Sequence, residues 1–83
     1  MPIDTLKIDK SFIDNICTNK KDASITKSII GLAHSLNITV VAEGVETEEQ
    51  LELLRSQDCD IVQGFIMSPP LHPEELEDLI RKK

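Results

Sequence analysis

With 83 residues, 40% of them apolar, 29% charged and 2% aromatic, the chain is at most one small domain of ordinary globular composition, neither disordered nor fibrous. Its formal net charge of −6 works against binding nucleic-acid polymers or anionic membranes through bulk charge. No run approaches the roughly 18 apolar residues that span a bilayer, and MPIDTLKIDK lacks the basic flank and apolar stretch of a signal peptide, so the expectation is a cytoplasmic chain with no membrane partner.

Residues Thr5 to Phe12, TLKIDKSF, alternate Leu6 and Ile8 with Lys7 and Asp9, the period of a strand, which predicts that Lys7 and Asp9 point the same way. Cys17 and Cys59 have no CxxC or Cys/His grouping around them; both read as packed, reduced thiols. From Asp22 to Leu36 the residues Ala23, Ile25, Ile29, Ile30, Leu32, Ala33 and Leu36 recur at helical steps. Asn37, which tolerates left-handed backbone, ends that helix. Ile38 to Ala42, ITVVA, is a β-branched run of the kind buried on both faces of a parallel sheet. Thr47 followed by Glu48, Glu49 and Gln50 resembles a capping box, and Leu51, Leu53 and Leu54 carry the helix to about Arg55. Asp60 to Phe65, DIVQGF, predicts a third strand. The prolines of MSPPLHP, 67–73, exclude regular structure, and Pro73 starts a last helix, PEELEDLIRKK, with acids first and bases last.

Strands separated by helices in this way signal parallel βαβ packing with right-handed crossovers. The expected fold is α/β, one unit over 1–83 with three parallel strands alternating with three helices. Such a sheet leaves both outer edges unpaired, a surface suited to a second copy, giving a homodimer, or to another barrel segment.

Polar residues at the C-terminal ends of parallel strands are where a (β/α) barrel gathers its active site. Each strand here supplies a set: Lys7 and Asp9, then Glu43 and Glu46, then Gln63. Glu43 directly follows ITVVA, and a carboxylate at the end of an apolar strand needs a metal, a hydrogen-bond donor or a base beside it. It reads equally well as a solvated loop acid. Lys7 could stabilise a phosphoryl oxygen, although a strand lysine taken alone is more often solvated. Gln63 could orient a water, although an isolated strand glutamine is usually structural.

Taken together, LKIDKSFI at 6–13, VVAEGVET at 40–47, DIVQGF at 60–65 and PLHPEEL at 70–76 resemble the last three βα units of the EAL domain of cyclic di-GMP phosphodiesterases, in the same order. The resemblance implies a partial TIM-like (β/α) barrel and a parent activity of cleaving one phosphodiester bond of cyclic di-GMP with two Mg²⁺ or Mn²⁺ ions. It also implies that Glu43 is a metal ligand or helps activate the water, and that Lys7 holds the water or a phosphate oxygen. Glu46 then helps anchor a neighbouring loop, Gln63 orients groups around the metal, and Asp9 has a structural or supporting role. Asn37 stands where the family often has Gly, and Pro69 where a basic residue is common. The family's Glu-Ala-Leu string, its metal-binding Asn and Glu, and its Asp-Asp-Phe-Gly loop belong to the part of the family pattern N-terminal to these units and do not occur in the sequence. The expectation is therefore the C-terminal part of an EAL domain, inactive by itself, with an interaction module or a weak cyclic di-GMP-binding remnant as alternatives.

Overall fold

The computed structural model describes residues 5–64 and 69–81. The elements, in chain order, are β1 (Thr5–Ile8), α1 (Lys10–Ile13), α2 (Lys20–Ser35), β2 (Thr39–Ala42), α3 (Glu48–Ser56), β3 (Ile61–Val62) and α4 (Pro73–Arg81). The strands form one sheet in the order β1-β2-β3. Both pairings are parallel, with Lys7 opposite Val41 and Val41 opposite Ile61. The expected α/β alternation is the observed one, with one additional helical turn, α1.

That turn shortens the first strand. The alternation that predicts a strand to Phe12 stops at Ile8, because the Asp9 carboxylate accepts the backbone N–H of Ser11 at 3.0 Å and caps α1. A local side-chain cap here outweighs β-propensity, which is context-dependent. The helix α2 also begins before the expected Asp22, since Asn19 Oδ1 accepts from the backbones of Lys21 and Asp22 at 2.9 and 3.2 Å. Asn37 takes the left-handed conformation its type favours, φ 60°.

The third strand is shorter than DIVQGF, covering Ile61–Val62 alone, and Phe65 lies outside the described residues. The outer edge of β3 is not bare, as expected, but bridged in antiparallel fashion by Leu71. Val62 and Leu71 exchange backbone hydrogen bonds of 2.7 and 2.9 Å. Among the described residues, the outer edge of β1 has no strand partner.

Parallel pairing gives the sheet two unlike faces. Ile8, Val40, Ala42 and Val62 turn to the helices and join Ile13, Ile30, Leu51, Leu54 and Leu76 in one buried core. Burying each such side chain contributes on the order of 2 kcal/mol. Thr5, Lys7 and Thr39 alternate to the opposite face and stay exposed, and Val41, on that same face, is buried yet stands apart from the core cluster. That second face carries the strand-end polar residues. Cys59 is buried as expected, and burial pushes its thiol up to about 11. Cys17 is exposed instead, because it sits in the connection between α1 and α2 and not on a core-facing helix turn.

Candidate active site at the strand ends

Register decides which polar side chains meet. Lys7 lies opposite Val41, so Glu43, two residues on, emerges on the same face and next to it; Gln63 stands in the same relation to Ile61. The ladder continues past the strands through backbone bonds from Glu43 N to Ile8 O, Gln63 N to Ala42 O and Val45 N to Gln63 O, at 3.0, 3.0 and 3.1 Å. These bonds fix the backbone on which the site is built.

The Lys7 ammonium lies 3.6 Å from Glu43 Oε2, and Gln63 Nε2 donates to the same oxygen at 3.3 Å. Three residues separated by 36 and 20 positions in the chain thus converge on one carboxylate oxygen. The Lys7 side chain is 65% exposed and that of Glu43 31%. An ion pair this wet contributes at most about 1 kcal/mol to stability, so the arrangement is poorly explained as a device for folding. Chemically it offers a cation for a phosphoryl oxygen, a carboxylate able to hold a water or accept its proton, and an amide that fixes one carboxylate oxygen.

The other two candidates lie elsewhere. Glu46 is not bonded to Lys7, Glu43 or Gln63; its Oε1 lies 3.6 Å from Lys10 Nζ, and its backbone N–H donates to Gln50 Oε1 at 2.7 Å. Asp9 is the α1 cap, and the shared orientation with Lys7 expected from strand alternation ends with the strand at Ile8.

The Asp9 carboxyl is held below its ordinary 3.8, first by the Ser11 backbone N–H that its ionised form accepts. Such an acid binds fewer protons in the folded than in the unfolded chain, so its contribution is present above 3.8 and disappears as pH falls through the lower folded value. Asp9→Asn keeps the acceptor and removes the titration. It should reduce the loss of stability between roughly pH 5 and pH 2, followed by urea midpoints, and an acid limb as steep as that of the unsubstituted chain would contradict the cap.

The Mg²⁺ or Mn²⁺ pair implied by the resemblance requires several converging oxygen ligands. Among the described residues no group of three His, Cys, Asp or Glu side chains is placed to hold a metal ion. Glu43 supplies one carboxylate, so these residues alone do not make a two-metal centre. A separate cluster lies at the opposite ends of the strands, where Asp60 Oδ2 accepts from Val40 N at 2.8 Å and meets His34 Nε2 at 2.7 Å. In barrels that end serves stability. An open groove of about 550 Å³ between the α1–α2 connection and α3, lined by Cys17, Lys20, Glu49 and Leu53, contains none of the strand-end residues. No described helix is long and apolar enough to cross a membrane.

Comparison with known proteins identifies the family and the fold. The sequence profile of the EAL domain matches residues 1–70. The chain is 51% identical over 79 residues to the signaling protein YkoW of Bacillus subtilis, covering 95% of this chain and 10% of that protein. It is 46% identical over 81 residues to the cyclic di-GMP phosphodiesterase NbdA of Pseudomonas aeruginosa, covering 98% and 10%. Among solved structures, the PaMucR phosphodiesterase in its cyclic di-GMP complex superposes with a TM-score of 0.76 at 42% identity, over 92% of this chain and 31% of that one. The chain spans about a tenth of the length of these curated relatives.

Proposed function

The chain belongs to the EAL domain family, and from that premise we propose that it forms one flank of a cyclic di-GMP phosphodiesterase site and does not hydrolyse the dinucleotide by itself. The observation that carries this is the convergence of Lys7 and Gln63 on Glu43 Oε2 at the ends of adjacent parallel strands. In this role Lys7 faces a phosphate oxygen, Glu43 holds the attacking water, and Gln63 keeps the Glu43 oxygen directed. Glu46 steadies the loop behind them through Lys10. The divalent ions would supply Lewis-acid chemistry when bound, with Glu43 as this chain's carboxylate toward them. The proposed place of action is the cytoplasm.

The purified chain is expected to yield no linear dinucleotide above the background of a Glu43→Ala control. Placed in NbdA in exchange for the matching 81-residue segment, it is expected to sustain hydrolysis, and Glu43→Gln in that chimera should lower kcat on the order of 100-fold or more. An active chimera indifferent to Glu43→Gln would remove Glu43 from the chemistry. It would favour instead an interaction module pairing with a second copy along the outer edge of β1, which has no strand partner among the described residues.

A further inference from the structure

We infer that Lys10 is a positioning residue whose aliphatic stem, packed on Gly44, holds the turn that directs Glu43; this rests on the reading of Glu43 as the site carboxylate. Gly44 has φ +74°, and a Cβ built there would lie 2.4 Å from Lys10 Cγ, 2.7 Å from its Cβ and 2.9 Å from its Cδ. The base of the lysine, fixed by the α1 backbone, therefore lies directly on the turn. Beneath it, a Cβ at Gly64 would come within 3.1 Å of Gly44 Cα and 3.2 Å of Val45 N. Lys10, Gly44 and Gly64 are thus stacked in three close layers. Glu43 precedes the second layer and Gln63 the third, and these are the residues joined at 3.3 Å.

Both ends of the lysine are tethered. Asp9 caps α1 through Ser11 N and so sets the backbone of Lys10. At the tip, Nζ donates to Asp14 Oδ1 at 2.8 Å and leans to Glu46 Oε1 at 3.6 Å, which lays the stem across the turn. These charges are 40 to 60% exposed, so their pairing energy is small. The methylene stem, covering backbone while its head stays in water, is the part that positions.

Labelled 83-residue chain, studied by NMR, separates stem from charge. Lys10→Met keeps the stem and drops the ammonium, whereas Lys10→Ala removes both. Lys10→Ala is expected to move the Gly44 and Gly64 amides, the Glu43 carboxyl carbon and the Gln63 side-chain NH₂ by several linewidths, and Lys10→Met to leave them in place. The Lys10 side chain is 51% exposed, so truncation leaves the core untouched, and Lys10→Ser serves as a second truncation. Equal movement in Lys10→Met and Lys10→Ala, or none in either truncation, overturns the assignment. No nucleotide enters the experiment, so failure of the phosphodiesterase reading and failure of this inference are seen separately.

Discussion

Gly44→Ala is expected to lower the unfolding free energy by about 2–5 kcal/mol, seen as a lower urea midpoint with an unchanged slope. Two costs add. An L-residue held at φ +74° gives up roughly 1–2 kcal/mol, and the new methyl must displace Lys10, whose Cβ, 2.7 Å away, cannot swing aside because the α1 backbone fixes it. Overpacking of that kind costs about 1–3 kcal/mol. A core of this size supplies about 3–5 kcal/mol in all, so the substitution removes most of the margin. A double-mutant cycle separates the two costs, since Gly44→Ala combined with Lys10→Gly removes the clash with Cβ, Cγ and Cδ and leaves the backbone strain. A loss below about 0.5 kcal/mol in the single variant would show that the turn relaxes freely and that the stack of Lys10 on Gly44 is not tight.

The strand-end cluster was legible in the sequence because each apolar run is followed, or in β1 interrupted, by one conspicuous polar residue. Period-2 alternation then puts Lys7, Glu43 and Gln63 on one face whenever the strands pair in parallel. The order of elements was legible too, since ITVVA is short and β-branched, as a buried strand is, while the α2 pattern repeats at helical steps over about four turns. What the sequence hid depends on local competition or on distant contact. The strand period holds through Asp9 and is broken by Lys10 alone before Phe12, and whether Asp9 stays in the ladder or caps the next turn is decided by one hydrogen bond to Ser11 N. Leu71 lies among prolines, which mark a loop, and its bridge to Val62 exists only because the chain returns there. Lys10 and Gly44 are 34 residues apart, and the sole hint of their contact is that Gly44 is a glycine.

Gln50 combines a legible half with a hidden one, and for that reason its replacement is expected to have the second large effect. The legible half is the capping box: Gln50 N donates to Thr47 Oγ1 at 3.1 Å, and Gln50 Oε1 accepts from Glu46 N and Thr47 N at 2.7 and 3.2 Å. The hidden half is Nε2, which donates at 3.2 Å to the carbonyl of Ile13, in α1. One buried amide therefore joins α1, the Glu43–Glu46 turn and α3. In Gln50→Ala, water can reach the exposed Glu46 and Thr47 donors, but the carbonyl of fully buried Ile13 keeps only its 3.3 Å bond from Ile16 N. Losing one of two hydrogen bonds to a buried carbonyl costs about 0.5–1.5 kcal/mol, and the lost half of the capping box adds about 1 kcal/mol, so a loss of about 1.5–2.5 kcal/mol is expected by urea denaturation. Gln50→Glu distinguishes the two halves. It keeps both acceptor contacts, and a carboxylate at that position cannot donate to the Ile13 carbonyl. At neutral pH Gln50→Glu should therefore lose the share of stability carried by the Ile13 bond, about 0.5–1.5 kcal/mol or more by urea denaturation, while keeping the capping box. A Gln50→Glu variant as stable as the unsubstituted chain would show that the bond to Ile13 contributes nothing, and that the turn carrying Glu43 is held by the capping box and the Lys10 stack alone.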